Sequence, residues 1–171
     1  MRSHFELFGL PAKFAVEGEA LERSYREIQS RVHPDRFAHA GDAERRASLQ
    51  WTTRVNEAYR ALKDPVSRAR HLLELHGVDV AFETNTAMPP DFLMQQMQLR
   101  ESLEEATASK DSSRLDELRK DLHASRSALE REIGEAIDAK KDYRGGAELV
   151  RKLQFLDKLE AEIDSAYETI E

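Results

Sequence analysis

Cysteine is absent from the 171 residues of this chain, which excludes disulfides, thiol nucleophiles and any metal or cluster held by the chain's own thiolates. Glycine and proline are sparse, at 7 and 5 residues, too few for the many tight turns of a sandwich or barrel. No apolar run approaches the roughly 20 residues that cross a bilayer. The opening MRSHFELFGLP has neither the basic flank nor the apolar stretch of a signal peptide. No stretch combines clustered Lys/Arg with interleaved aromatics, so a phosphate-neutralising face for nucleic acid is not expected. A soluble, cytoplasmic protein that binds neither membrane nor nucleic acid is the expectation.

Charge, by contrast, is plentiful. Charged residues make up 35% of the chain and mean hydropathy is -0.68, values that suit helices with broad solvated faces and predict an all-α fold. The net charge of -7 is unevenly placed. Residues 1–90 carry 13 acids and 13 bases, whereas 91–171 carry 20 acids and 13 bases.

Periodicity locates the helices. Over 18–32, Leu21, Tyr25, Ile28 and Val32 share one face, and Arg23, Arg26, Glu27 and Arg31 share the other. Pro34 ends this helix, because it lacks an N–H and holds His33 extended. A second helix over 42–63 is expected to be capped by Asp42 and to bury Val55, Ala58, Tyr59 and Leu62, with Trp51 or Thr52 one turn earlier. Asp64-Pro65 then opens a short helix carrying Leu72, Leu73 and Leu75, which stops at Gly77. Residues 77–90 show no helical period and end in two prolines, so they read as a connection between domains, with Val78, Val80 and Phe82 packing on one or both. Three further helices are predicted at about 91–109, 112–141 and 146–170, forming an antiparallel bundle. Gly145-Gly146 reads as the turn into the last of them, and Gly134 falls inside a helix.

Two features carry functional information. The first is His33-Pro34-Asp35, in the loop between a helix with a basic outer strip and its antiparallel neighbour. A histidine bonded to local backbone beside a turn-forming aspartate would explain the tripeptide by itself. An acid–base pair would be the enzymatic reading, but no nucleophile, oxyanion donor or third partner accompanies it. His39, His71 and His76 lack zinc spacing. The second feature is a pair of apolar stripes on the 91–109 helix. Phe92, Leu99, Leu103 and Ala106 share a face that suits the bundle core, whereas Leu93, Met94 and Met97 project elsewhere, followed by Glu101 and Glu105. That second stripe could pack on the connection or the N-terminal helices, could widen the core, or could dock another protein, with Phe155 flanking it.

Placed beside Tyr25-Arg26, Asn56-Glu57-Ala58-Tyr59, Leu62 and the opening Phe5-Glu6-Leu7-Phe8-Gly9-Leu10, the tripeptide resembles the J-domain pattern over residues 1–76. Further likeness to the HscB family lies in Leu7-Phe8-Gly9-Leu10-Pro11, Leu75-His76-Gly77, Phe92-Leu93-Met94, Leu99-Arg100-Glu101 and the run from Arg151 to Leu159. The resemblance covers essentially the whole chain. It implies a J-domain (an antiparallel helical hairpin with short flanking helices) over 1–76, a linker over 77–90 and a three-helix scaffold-binding bundle over 91–171. It also implies a co-chaperone without cofactor, metal or catalysis of its own. Such a protein stimulates the ATPase of the DnaK-class chaperone HscA and delivers the iron-sulfur scaffold IscU to it. By this resemblance His33, Pro34, Asp35, Arg26, Arg23 and Arg36 contact the chaperone, while Leu93, Met94, Met97, Gln98, Glu101, Glu105 and Phe155 contact the scaffold. Gln98 stands where the family often has an acid. A J-type co-chaperone for a different client is the alternative.

Overall fold

In the computed structural model, which describes residues 3–80 and 88–171, the chain forms seven α-helices and, among the described residues, no strand. The short α1 (His4–Leu7) is capped by the Ser3 hydroxyl, which accepts from the Glu6 N–H, and it buries Phe5. Helices α2 (Gly18–Val32) and α3 (Asp42–Lys63) pair antiparallel. Their contact is specified by side chains. Tyr25 and Tyr59 stack with centroids 4.0 Å apart, and the Tyr25 hydroxyl donates to Asn56 Oδ1 at 2.7 Å. At the far end the Val32 carbonyl, left without a helical partner, accepts from Ser48 Oγ at 2.5 Å and Thr52 Oγ1 at 3.2 Å.

One expectation for α3 is corrected and one alternative is decided. Its N-cap is Gly41, with no side-chain cap bond, and Asp42 instead pairs with Arg45 one turn on. Thr52 continues the inner face; Trp51 is 44% exposed, with the Arg54 guanidinium over its ring. Helix α4 (Pro65–Leu75) starts as expected, with Asp64 accepting from the N–H and hydroxyl of Ser67, both at 2.9 Å. It ends at Gly77, whose φ of 76° few side chains tolerate. Gly77 N–H donates to Glu74 O and Val78 N–H to Leu73 O, the paired closure that uses up the last carbonyls. Leu72 and Leu73 are buried, and Leu75 projects into solvent.

The remaining helices are α5 (Pro90–Ala108), α6 (Ser112–Gly134, extended by a π-helical turn over Glu135–Ala139) and α7 (Tyr143–Ile170). Helices α6 and α7 run antiparallel, stitched by Arg119 to Asp164, by Arg126 to Asp157 and Glu160, and by Tyr167 to Asp116. Helices α5 and α7 run parallel, since Phe92 meets Phe155 and Arg100 meets Glu162 further up. Leu103, Ala106, Leu115, Leu118, Leu122, Leu156, Leu159 and Ile163 fill their common core. Gly145 and Gly146 are not the turn but the first turn of α7. A Cβ on Gly145 would strike the Asp142 carboxylate that caps the helix, and one on Gly146 would come within 2.8 Å of Ile137.

A second core joins the two halves of the chain. Phe5, Phe8, Phe14, Leu62, Leu72, Leu73 and Val80 from the N-terminal helices form one buried cluster with Ile133, Ile137, Ala147, Val150 and Leu153 from α6 and α7. Val78 packs at its edge and Val80 lies inside it, as expected for both, whereas Phe82 lies outside the described residues. The π-helical turn adds a polar clasp. Asp138 accepts the N–H of Phe14 at 2.8 Å and of Ala15 at 3.0 Å through separate carboxylate oxygens.

A core shared in this way should melt as one unit, so urea unfolding followed by far-ultraviolet dichroism and by Trp51 fluorescence should give a single coincident transition. Asp138→Ala, which orphans two N–H donors, should lower stability by about 1–3 kcal/mol. Two separated transitions in the parent chain would contradict the shared core.

A pH dependence follows from a histidine pair. His71 Nε2 accepts the His4 N–H at 3.1 Å, and the two rings stack 4.2 Å apart. Burial lowers the pKa of both below the usual imidazole value. Arg54 pushes His4 down further, against Glu57 and Glu74, and His4 does the same to His71. The unfolded chain therefore binds protons first, so this contribution is fully present above the ordinary imidazole pKa and is lost as pH falls through the lowered values. The melting temperature should fall between pH 7.5 and 5.5, and it should fall less in His71→Gln; equal falls would contradict this assignment.

Candidate functional site

The residues singled out from sequence fall on two separate surfaces. The first is the loop joining α2 to α3. His33 is held extended by Pro34 (φ -56°, ψ 135°) and caps the short 3₁₀ turn Pro34–Phe37: its Nδ1 accepts the Asp35 N–H at 3.2 Å. In the neutral ring that bond leaves Nε2 to carry the proton. Asp35 Oδ2 stands 3.6 Å from the same Nδ1, an ion contact open only to the protonated ring. Local backbone bonding of His33 is therefore real. It serves to fix the loop, with the Asp35 side chain 93% exposed and the His33 side chain 47% exposed.

Beside the loop, the basic strip of α2 is partly self-neutralised. Arg26 pairs with Glu22 and Arg31 with Glu27, both at 2.6 Å and both four residues apart on the exposed face. Such exposed pairs are worth at most about 1 kcal/mol and yield readily to a better partner. Arg23 and Arg36 make no ion pair among the described residues and are exposed, so they are the uncompensated cations here. A cleft of about 140 Å³ opens beside the 3₁₀ turn that carries Arg36, lined by Val32, Phe37, Glu44, Ala47, Ser48 and Trp51. Sequence reasoning missed it, because the period left Trp51 and Thr52 as alternatives for one core position.

The second surface is the seam between α5 and α7. Leu93 is 40%, Met94 60% and Met97 63% exposed, so this stripe does not widen the core. At 100° per residue, Leu93 and Met97 lie on the flank of α5 where Arg100 reaches Glu162 of α7, which is the same flank that Phe155 adjoins. Phe155 and Phe92 meet edge to face with centroids 6.1 Å apart, and both are half-buried. Phe92 therefore forms the floor of the seam and not the centre of the bundle. Gln98, Glu101 and Glu105 are exposed further round α5. The core position one turn after Phe92 belongs to Gln96, which is buried with its Oε1 unpaired. A polar residue inside an apolar period hides that position from sequence analysis.

No cluster of His, Asp and Glu with ligating geometry occurs among the described residues, and no helix among them is long and apolar enough to cross a membrane. The two surfaces present a rigid loop with a cationic flank and an apolar patch continuing into carboxylates.

Comparison with known proteins agrees with this architecture. Residues 88–164 match the family described as the HSCB C-terminal oligomerisation domain. The co-chaperone protein HscB homolog of Burkholderia thailandensis is 52% identical over 169 residues, covering 99% of this chain and 96% of that protein. Its counterpart in an Azoarcus species is 48% identical over 170 residues, with the same coverage. Among solved structures, the chaperone HscB from Vibrio cholerae superposes with a TM-score of 0.87 at 36% identity, covering 99% of this chain and all of that one. Human co-chaperone protein HscB gives 0.91 at 28% identity, covering 96% and 82% respectively. The N-terminal J-domain, the C-terminal three-helix bundle and the identity along nearly the full length together place this chain in the HscB family of co-chaperones.

Proposed function

We propose that this protein is a cytoplasmic J-type co-chaperone that couples the DnaK-class chaperone HscA to the iron-sulfur scaffold IscU. In this reading residues 1–76 are the trigger, 77–90 the linker and 91–171 the adaptor. His33, Pro34 and Asp35, with Arg23, Arg26 and Arg36, engage the chaperone and raise its rate of ATP hydrolysis. The chemistry belongs to the chaperone. Leu93, Met94, Met97 and Phe155 supply the apolar contact to the scaffold, and Gln98, Glu101 and Glu105 its polar edge. The scaffold is thereby presented to the chaperone as hydrolysis tightens its grip, which promotes cluster transfer.

The observation that supports this most is the exposed Leu93, Met94 and Met97 stripe beside the Phe92–Phe155 pair, on a chain of the HscB family whose tripeptide loop is free on another face. Adaptable thioethers beside a rigid aromatic edge suit a docking surface. Gln98 leaves one neutral position in an otherwise acidic margin.

Two separate surfaces should be separable by substitution. His33→Gln should abolish stimulation of the HscA ATPase and leave IscU binding within about twofold, whereas Leu93→Ala with Phe155→Ala should weaken IscU binding by a factor of about 30 or more while basal ATPase stimulation survives. Calorimetric titration and steady-state ATP turnover read the two effects. Loss of both activities in either folded variant would overturn the division of labour.

A further inference from the structure

Charges around the α5/α7 seam are sorted by helix. On α5 the free groups are acidic, Glu101 and Glu105, since Arg100 is engaged by Glu162 at 3.5 Å. On α7 they are basic apart from Glu148. Lys152 Nζ sits 5.7 Å from the centroid of the Phe92 ring, and Lys158 Nζ sits 5.7 Å from that of Phe155, so each half of the aromatic pair carries its own cation. Neither lysine, nor Arg151 beside them, forms an ion pair among the described residues. Asp157, the acid nearest in sequence to Lys158, is turned to the other side of α7, where Arg126 holds it.

Arg151 adds a more specific sign. Its Nε is shielded from solvent and has no acceptor, a state that a well-formed protein rarely leaves unanswered. Next to it opens a cleft of about 250 Å³, lined by Met88, Pro89, Glu148, Arg151 and Lys152 at the foot of the aromatic pair. Glu148 is the single acid there, against two bases. A carboxylate entering this cleft would meet the Arg151 and Lys152 cations.

We infer that Arg151, Lys152 and Lys158 form a cationic recognition strip for an acidic segment of the same protein partner whose apolar surface covers Leu93, Met97 and Phe155. The inference rests on the proposed adaptor role and deepens it. With Glu101 and Glu105 on the opposite margin, the strip gives the seam a polarity. The partner can dock in one sense only, its carboxylates over residues 151–158 of α7 and its basic groups over the C-terminal half of α5. Lys152 and Lys158, whose ammonium groups lie by the two rings, can keep their apolar stems there while the charged heads swing to a partner's carboxylates.

The test uses the full chain and IscU in calorimetric titrations at low and high salt. Lys152→Met with Lys158→Met keeps the stems over the rings and removes the charges; it should weaken binding about three- to tenfold at low salt, with the difference vanishing at high salt. Lys152→Arg with Lys158→Arg should bind like the parent. Unchanged affinity in the methionine variant, or equal loss in both variants, would overturn the strip. Leu93→Ala with Phe155→Ala, run in parallel, separates the two claims. If it abolishes binding while the methionine variant binds normally, only the strip fails; if it too binds normally, the adaptor reading fails and the strip with it.

Discussion

The packing of the N-terminal helices onto the junction of α6 and α7 is the constraint on which the rest of this molecule depends. Phe5, Phe8 and Phe14 reach it from the first segment, Leu72 and Leu73 from α4, and Ile133, Ile137, Val150 and Leu153 from the bundle. Neither half of a chain this size has enough interior to be robust alone, and a shared core relieves that shortage. It also removes the freedom that a bare linker would leave. The π-helical turn over Glu135–Ala139 sets Asp138 beneath the N–H groups of Phe14 and Ala15, and Gly146 lets α7 pass close enough for Ile137 to fill the gap. Two small helical units thereby become one body.

That rigidity gives the proposed function its geometry. The tripeptide loop lies at one end of the α2/α3 hairpin, and the apolar seam lies between α5 and α7. A protein held at the seam is therefore presented at a set position relative to whatever binds the loop, with none of the loss in effective concentration that a flexible tether imposes. The loop is pre-organised too. Pro34 holds His33 extended, the His33 ring caps the next turn, and Ser48 and Thr52 anchor the chain just before it. Little ordering cost then remains to be met on binding.

Much of the fold was legible in the sequence because its helices are amphipathic with regular periods and conventional stops. Asp64-Pro65 and Gly77 marked the limits of α4 correctly, and the second stripe on α5 was visible as a departure from one-faced amphipathicity. Beyond Val78 and Val80, the shared core was not legible. Phe5, Phe8 and Phe14 lie more than a hundred residues from Ile133, Ile137, Val150 and Leu153, and Phe14 sits in a segment with no period at all. Errors arose where a residue had two plausible roles. Asp42 could cap or pair, Trp51 could be core or surface, and Gly145-Gly146 could turn the chain or admit a close neighbour. Only three-dimensional context decides such cases. Of the candidate sites, the tripeptide was readable as a motif, whereas the cations of α7 were hidden among the many charges of a solvated helix.

Chaperone ATP turnover, measured with this protein alone, with IscU alone and with both, tests the central claim most directly. If one rigid body holds the trigger and the cargo together, the two proteins should stimulate HscA well beyond the sum of their separate effects. Stimulation that is merely additive would contradict the account.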